Sequence, residues 1–505
     1  MPATEQRQPS ASMRPIPASG FTESGARHLL LRAGFGAMPD QPRTLSRWGI
    51  ERSVDFLLDT GSIPYEHEDD GSFADDIIVP LSRGQQRELR NARQTGDEDT
   101  VARFRSRRQA AQRRDRKQMA AIQRWWLARL IETPKPLEEK MTLFWHGHFV
   151  SGYRAVENSQ HLLMQNNLFR THALGNFADL LHAIIRDPAM LGYLDNKRSR
   201  KQAPNENLAR ELLELFSLGV GGYQEEDIKE GARALTGYSY EGNSFDFKRN
   251  QHDPGTKTIF GVRGSFDGDG FVDAILAQRT CAEFICWKLY RFFVADIPPD
   301  FSRTPPHAQR VIRAMAATMR RERYAIKPAL RELFLSEHFH DPAIACSKIK
   351  SPAEVVVGAI RSMHTPTRSL GKLLDAMDLM GQDLFHPPNV AGWAGGRAWI
   401  NTSTLFARQN TLVYLLAGIT PRSEKKRKKN KSAFKAKALF DRLNAPEGDH
   451  EQTALLLLDH LLGAAALEVR ESRVRDVATI LGSGGGNSRA EALALVTALP
   501  EYQLC

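Results

Sequence analysis

Apolar residues recur along most of this chain at the three- and four-residue spacing of amphipathic helices. Near the start, Thr22 or Ser24 can cap such a helix, and Gly34 can end it. Leu29 and Leu30 would lie on its apolar face. Because similar patterns continue nearly to the end, we predict a mainly α fold, a globular array of many helices joined by loops rich in glycine, proline and tryptophan.

One stretch, residues 239–263, has the alternating pattern of β-strands instead. Phe245 and Phe247 alternate with polar residues, and the apolar pattern resumes at Ile259. Between them, the Asp-Pro-Gly sequence at residues 253–255 is typical of a turn. We therefore predict one small β-hairpin with its turn at residues 253–255.

Composition divides the predicted fold into four parts. Residues 1–20 are polar and rich in proline and serine, so we expect a disordered N-terminal tail. Residues 21–420 would form the main helical domain, within which residues 83–118 form a charged, basic helical segment. A basic linker at residues 421–435 precedes a small C-terminal helical segment, residues 436–505, which we expect to pack on the main domain.

The 505-residue chain has a formal net charge of +10, and its basic residues are concentrated in two segments. The first is "RFRSRRQAAQRRDRKQ" at residues 103–118, and the second is "KKRKKNK" at residues 425–431. The second contains no aromatic residue on which a base could stack. We interpret both segments as solvated helix and tail, and nucleic acid is not an expected partner.

Hydropathy and cysteine usage restrict the class of protein further. No apolar run approaches the roughly 18 residues of a membrane-spanning helix, and the N-terminus lacks the apolar core of an export signal. We therefore expect a cytoplasmic protein with no membrane span. The four cysteines have neither zinc-site spacing nor the density of a disulfide framework, which indicates buried small side chains: Cys281, Cys286, Cys346 and Cys505.

The stretch "EEKMTLFWHGHFVSG" places His146 and His148 on either side of Gly147, behind an apolar helical pattern. On a continuous helix the two side chains would point about 200° apart, whereas a helix end at Gly147 would let both face one cleft. They are either ligands of a divalent metal such as zinc or groups that cap the helix and form buried hydrogen bonds. A catalytic zinc site needs a third protein ligand, for which the candidates are Glu211, Glu214, His252 and Asp253.

A second polar group lies in "PNENLARELLELFSLG". Asn205 can cap a helix there, and Asn207, Arg210, Glu211 and Glu214 fall at the spacing of one helix face. One interpretation is a solvated face with an ion pair between Arg210 and Glu214. The other is a polar cleft in which Glu211 and Glu214 act as metal ligands or as acid and base.

Two loops supply the remaining candidates. His252 and Asp253 lie at the predicted hairpin turn, where they either form an ordinary turn or complete a site. Trp393 and Trp399 lie in "PPNVAGWAGGRAWIN". Aromatic and amide side chains in such a loop either bind a planar ligand or fill the core.

Nine stretches in order resemble the bacterial domain-of-unknown-function 1800 family, from about residue 21 to the end of the chain. They are "HLLLRAGFG", "LEEKMTLFWHGHF", "DPAMLGYLDN", "PNENLARELLELFSLGVGGY", "ARALTGY", "HDPGTKTIFG", "KSPAEVVVGAIR", "PPNVAGWAGGRAWINTSTL" and "PEYQL". The resemblance implies a mainly helical protein. It also implies a partner, a sulfatase-like protein of a second uncharacterised family whose gene often lies beside it. Many members of the family look exported, whereas no export signal is recognisable in this chain.

Two hypotheses follow for the function. In the first, the polar residues converge in one cleft of a metal-dependent hydrolase. His146 and His148 then hold the metal, the catalytic residues are Arg210, Glu211, Glu214, His252 and Asp253, and the ligand-binding residues are Asn205, Asn207, Trp393 and Trp399. In the alternative, the protein is a non-catalytic assembly or binding partner of the sulfatase-like protein.

Overall fold

The computed structural model of the chain describes residues 8–63, 65, 72–418, 434–463, 470–485 and 487–505. These residues contain 23 α-helices and four short strands, which confirms the predicted mainly α class. No helix in these ranges is both long and apolar enough to cross a membrane.

The helices follow one another along the whole chain. Those of the first half are α1 (Glu23–Ala33), α2 (Gln41–Trp48), α3 (Ile50–Leu58), α4 (Arg83–Thr95), α5 (Glu98–Glu132), α6 (Pro136–His148), α7 (Tyr153–Val156), α8 (Ser159–Thr171), α9 (Phe177–Ile184), α10 (Pro188–Tyr193), α11 (Asn207–Glu214) and α12 (Glu225–Ala234). Those of the second half are α13 (Gly268–Leu276), α14 (Arg279–Phe293), α15 (Pro306–Arg321), α16 (Ile326–Leu335), α17 (Pro352–Met363), α18 (Leu370–Leu379), α19 (Thr402–Ala417), α20 (Ala436–Arg442), α21 (His450–Leu462), α22 (Arg470–Gly482) and α23 (Ser488–Ala498). The strands, all between α12 and α13, are β1 (Tyr238–Glu241), β2 (Ser244–Phe247), β3 (Lys257–Ile259) and β4 (Val262–Gly264).

The strands form two antiparallel hairpins rather than the single predicted one. Strand β1 pairs with β2, and β3 pairs with β4, each pair across a two-residue turn. Gly242 and Gly261 lie in these turns with φ of 58° and 76°, the positive values that short hairpin turns require. Residues 253–255 connect the two hairpins, so the predicted position of the turn was wrong. There the carboxylate of Asp253 accepts a hydrogen bond from the N–H of Gly255 at 2.8 Å, a local turn without strand pairing.

The basic segment predicted at residues 83–118 lies in α4 and the first half of α5. Gly96 ends α4 in a left-handed conformation with φ of 74°. Asp97 then caps α5, because its carboxylate accepts a hydrogen bond from the N–H of Thr100 at 3.0 Å. The two helices therefore form a hairpin, which we call the basic hairpin (residues 83–117).

Helix α6 lies at the centre of the fold. Eleven of its thirteen residues are buried, as expected of a helix surrounded by others. Trp145 belongs to one group of buried apolar side chains, which extends from α1 to α16. Leu143 belongs to a second group, built mainly on α5, α17, α19 and the C-terminal helices. Helix α6 therefore joins the two halves of the core.

Both ends of the described chain bind to the body of the fold. The N–H of Ile16 donates to the carbonyl of Leu335 at 2.9 Å, and the N–H of Glu337 donates to that of Arg14 at 2.8 Å. Residues 14–16, within the tail predicted at residues 1–20, thus contact the body of the fold, while residues 1–7 lie outside the described ranges.

At the other end, α23 packs against α19, and the N–H of Cys505 donates to the carbonyl of Lys348 at 2.8 Å. Most of the predicted basic linker, residues 421–433, lies outside the described residues.

Candidate functional site

Two buried charged residues near the start of α6 attach it to its neighbours. Glu139 accepts hydrogen bonds from the Nε atoms of Arg129 and Arg170, both at 2.7 Å. Lys140 donates to Glu354 at 2.7 Å. Burial opposes the charged form of Glu139, but the two arginines outweigh it and lower the pKa of the carboxyl. These pairs fix α6 against α5, α8 and α17.

His146, near the end of the same helix, forms a hydrogen bond with a loop. Its Nε2 atom accepts from the backbone N–H of Phe385 at 3.1 Å, so the ring carries its proton on Nδ1. The ring lies edge-on to Trp126, with centroids 5.0 Å apart, and 5.6 Å from that of Trp393. Burial, with a smaller contribution from His386, lowers the pKa of His146 to about 3. His146 is therefore a neutral acceptor inside the fold.

His148 faces different neighbours. Its Nε2–H donates to the carbonyl of Phe216 at 3.0 Å, and its ring lies 4.6 Å from that of Phe149. Burial, assisted by the charge of Lys288, lowers the pKa of His148 to about 3. Its Nδ1 atom is buried and has no hydrogen-bond partner among the described residues. His148 thus connects the end of α6 to the segment after α11.

The two histidines therefore act as separate hydrogen-bonding groups. Within the part of the chain that the structure describes, no group of three or more His, Cys, Asp or Glu side chains could hold a metal ion. The backbone groups of Phe385 and Phe216 that bond to His146 and His148 are those that the hydrogen-bonding interpretation expects.

The polar face of α11 forms, but its ion pairs differ from the predicted one. Arg210 pairs with Glu225 at 2.8 Å and with Glu206 at 3.1 Å, and not with Glu214. The predicted pair was wrong because α12, whose start the sequence pattern could not position, offers Arg210 a closer carboxylate. The hydrogen bond with Glu225 raises the pKa of Arg210. Since the pair lies at the surface, we expect it to contribute little to stability.

The two carboxylates of α11 lie side by side next to tyrosines. Glu214 accepts a hydrogen bond from the hydroxyl of Tyr223 at 3.0 Å. Glu211 is half-buried, and burial together with the charge of Glu214 raises its pKa. Burial and the nearby charge of Glu211 in turn raise the pKa of Tyr193. Burial and like charge therefore shift the Glu211 carboxyl toward its protonated form.

The two asparagines have local roles in front of α11. The side-chain oxygen of Asn205 accepts from the N–H of Asn207 at 2.9 Å, and the N–H of Asn205 donates to Ser199 at 3.0 Å. Asn207 itself is exposed at the first position of the helix. Asn205 thus shapes the entry to α11, as its type at that position predicts.

His252 and Asp253 belong to a network at the other end of α12. Asp253 pairs with Arg233 at 2.8 Å, and this hydrogen bond lowers the pKa of the Asp253 carboxyl. The Nδ1 atom of His252 lies 2.9 Å from the carbonyl of Thr236. Arg233 lies eight residues after Glu225, the partner of Arg210, which corresponds to about 12 Å along the helix. The candidate residues of α11 and of the hairpin region are therefore in separate networks.

The segment between α18 and α19, residues 380–401, which we call the tryptophan-rich loop, covers the end of α6. A Cβ atom added to Gly147 would lie 3.9 Å from the ring of Trp393, and one added to Gly392 would lie 2.5 Å from the carbonyl oxygen of Gly147. Gly392, with φ of 76°, is thus required where the two backbones meet. Trp399 is buried next to Gly381 and fills the core, whereas Trp393 is half-buried.

Three segments of the chain meet just after α6: the segment that contains Gly152, the end of α10 at Tyr193, and the loop that contains Pro387. A Cβ atom on Gly152 would lie 3.5 Å from the ring of Tyr193 and 3.6 Å from Pro387. Tyr193 also lies near enough to Glu211 on α11 for the charge of that carboxylate to raise the pKa of Tyr193, in addition to burial. We call this group of four residues, Gly152, Tyr193, Glu211 and Pro387, the junction site.

The family model of the DUF1800 proteins, described as proteins of unknown function, matches residues 28–504. The chain belongs to the DUF1800 family. No curated protein and no solved structure matches it. The resemblance inferred from the motifs is therefore confirmed. The polar residues of the DUF1800 stretch "LEEKMTLFWHGHF" that bond to other segments are Glu139, Lys140, His146 and His148.

Asp187 is a residue of this DUF1800 protein whose unusual environment the sequence did not reveal. It is buried, accepts hydrogen bonds from Gln165 at 2.7 Å and from the N–H of Met190 at 2.8 Å, and has no ion pair among the described residues. Gln165 also donates to Ser151 at 2.9 Å, directly before the junction site. Burial raises the pKa of Asp187 to about 7. The sequence signal, an aspartate before Pro188, predicts only a helix cap.

Proposed function

We propose that this member of the DUF1800 family acts by binding another protein, and that the partner is a sulfatase-like protein, as the resemblance implies. The observation that carries the proposal is an exposed apolar face on α19. The hydrogen bonds of His146 and His148 to backbone groups support it as well, because they give these two residues a role in holding the fold together.

The apolar face of α19 consists of Leu405, Phe406 and Val413, all exposed to solvent. Phe406 is 66% exposed and Val413 is 46% exposed. Because they are seven residues apart, their side chains lie on the same face of the helix. On α18, which packs against α19, Leu379 is 71% exposed. Single exposed apolar residues are common, whereas several on one helix face are typical of an interaction surface.

The tryptophan-rich loop gives this face a fixed position. Asn401 ends the loop and caps α19, since its side-chain oxygen accepts from the N–H of Thr404 at 2.9 Å. Two residues earlier, buried Trp399 anchors the loop in the core. In this proposal, Trp399 orients the binding surface and does not itself touch the partner.

Co-purification tests the proposal. The chain is co-expressed with a sulfatase-like protein of the kind that the resemblance implies, as wild type and with Phe406→Asp and Val413→Asp together. The control carries Val220→Asp and Val262→Asp, which introduce the same two negative charges at sites elsewhere on the molecule that are 83% and 60% exposed. We expect the complex with wild type and control but not with the α19 variant. A complex that forms equally with all three, or with none, contradicts the proposal.

Glu211 favours a second candidate function, an acid–base hydrolase. Glu211 and Glu214 lie side by side, and the raised pKa of Glu211 is the feature expected of a general acid. In this version no metal ion is needed, Arg210 pairs with Glu225 and Glu206 on the same face, and His252 and Asp253 belong to a separate network at the other end of α12. A screen with chromogenic ester, phosphate and sulfate substrates tests it. Activity that falls about 100-fold in Glu211→Gln, but not in the exposed control Glu226→Gln, would favour the enzyme over the binding protein.

A further inference from the structure

The basic hairpin projects from the body of the fold. Of the thirteen residues of α4, Ala92 alone is buried, and the first buried residue of α5 is Asp115. The hairpin contains twelve Arg or Lys residues and five Asp or Glu residues, a net charge of +7. Helices that bury so little of their surface gain little stability from packing within the fold. The hairpin is therefore a surface feature with a strong charge.

A groove of about 810 Å³ lies between α4, α5 and residues 76–81. We call it the hairpin groove. Apolar side chains line it: Ile77, Ile78, Val79, Leu81, Leu89, Val101 and Phe104. Arginines line it as well: Arg93, Arg105, Arg107, Arg108 and Arg114. Its size is that of a ligand-binding pocket, and it combines an apolar lining with strong positive charge.

Most of these arginines have no acidic partner within the described residues. Arg108 lies 3.9 Å from Glu157, which also lines the groove. No ion pair of the described chain engages the other four lining arginines, Arg93, Arg105, Arg107 and Arg114. Exposed cations without partners remain available to an anionic ligand, and their combined field attracts one. Charge complementarity therefore indicates an acidic occupant.

We propose that the hairpin groove binds an acidic amphipathic helix of a partner protein. Apolar side chains of that helix would contact the aliphatic residues of the groove, and its Asp and Glu residues would pair with the arginines. This inference is independent of the proposed function, because it concerns a different surface.

The shape and chemistry of the groove favour an acidic peptide over a nucleic acid and over an anionic membrane surface. Aliphatic side chains such as Ile77 and Ile78 offer no flat face on which bases stack, and Phe104 is the one aromatic residue among those that line the groove. Membrane-surface binding uses a convex apolar face that enters the headgroup region. A concave apolar surface instead fits the protruding side chains of a helix.

Fluorescence anisotropy with a designed probe tests the proposal. The probe is a labelled helical peptide of about three turns, with Leu on one face and Glu on the other. The control peptide has the same composition, scrambled so that the leucines no longer share a face. We expect the full-length protein to bind the amphipathic probe in low salt, and to bind the scrambled peptide about tenfold more weakly, since its leucines cannot enter the groove together.

Charge reversals locate the binding site. Arg105→Glu with Arg114→Glu changes two arginines of the groove, and the matched control, Arg90→Glu with Arg113→Glu, makes the same charge change on the hairpin outside it. All four side chains are exposed, so both variants should fold, which circular dichroism checks. We expect about tenfold weaker binding in the first variant and less than about twofold in the control.

Three results would overturn the proposal. The first is equal weakening in both variants, which would indicate attraction by net charge alone. The second is the absence of saturable binding up to about 1 mM probe. The third is tighter binding of an oligonucleotide or of anionic lipid vesicles than of the probe, weakened by the same groove variant, which would assign the groove to another class of partner.

Discussion

The Nε2 atom of His146 accepts a hydrogen bond from the backbone N–H of Phe385 at 3.1 Å, across 239 residues of chain. This bond joins the end of α6 to the tryptophan-rich loop, and the loop leads to α19 and its exposed apolar face. It also engages the ring nitrogen that would otherwise be available to a metal ion. The motif histidine therefore holds together the segments from which the proposed binding surface is built.

Replacement of His146 tests this role. His146→Ala removes a buried ring and leaves the N–H of Phe385 without an acceptor, so we expect a loss of about 2–4 kcal/mol in the free energy of unfolding. His146→Gln can keep an oxygen near the position of Nε2 and should lose less. Urea denaturation measures both. The exposed control His450→Ala should change stability by less than about 0.5 kcal/mol. An alanine variant as stable as the control would contradict the structural role.

The burial of His146 and His148 as neutral rings should also make the stability of the fold depend on pH. The pKa values of His146 and His148 are lowered to about 3 in the folded protein, whereas in the unfolded chain they are near 6.5. Between these values the unfolded state binds more protons, so their contribution to stability is complete above about pH 6.5 and is lost as the pH falls toward 3. We expect His146→Gln to lose less stability than wild type between about pH 7 and pH 5. An equal loss in both proteins would count against a buried neutral His146.

The buried ion pairs of Glu354 with Lys140 and Lys348 should contribute far more to the free energy of unfolding than a surface ion pair does. Glu354 accepts from both Lys140 and Lys348, at 2.7 and 2.9 Å, and after the cost of burial these two cations lower its pKa. Glu354→Gln leaves two buried lysines without an anion, and we expect a loss of about 3–5 kcal/mol. Asp55→Asn breaks the exposed pair with Arg331 and should cost less than about 1 kcal/mol. Thermal unfolding of the two variants gives the comparison, and equal losses would contradict the burial of the pair.

The backbone contact between the loop and α6 makes a separate prediction. Gly392 and Gly395 both have positive φ, 76° and 74°. A Cβ atom at Gly392 would meet the carbonyl of Gly147 at 2.5 Å, whereas the nearest atom at Gly395 is 3.9 Å away. Gly395→Ala should therefore cost about 1–3 kcal/mol for its conformation alone, and Gly392→Ala, which adds a clash with backbone, should cost clearly more. Equal losses in denaturant unfolding would mean that the loop does not lie on α6.

Local sequence patterns were sufficient for much of this fold. The helical spacing predicted the mainly α class, which the structure confirms. The positions of the hairpins were harder to predict. The Asp-Pro-Gly sequence at residues 253–255 is a stronger indication of a turn than the sequences around Gly242 and Gly261, where the hairpin turns lie. A turn sequence indicates where the chain bends, but it does not determine which strands pair across it.

The candidate site depended on contacts that a local pattern does not contain. Arg210 and Glu214 have the spacing of an ion pair on one helix, yet Arg210 pairs with Glu225 of the next helix. Glu139 is a charged residue inside the fold, and Arg170, 31 residues along the chain, helps to make its burial possible. Whether a polar residue in a helix is catalytic or structural depends on such distant partners, which a single sequence does not specify.

The state of the two histidine rings tests the central claim most directly. Nitrogen-15 NMR of the histidine-labelled protein distinguishes protonated, unprotonated and metal-bound ring nitrogens. We predict that Nε2 is unprotonated in His146 and protonated in His148, that neither ring titrates between about pH 5 and pH 8, and that added zinc shifts neither signal. Rings that titrate in this range, or that shift together with one equivalent of zinc, would contradict the structural account and support a metal site.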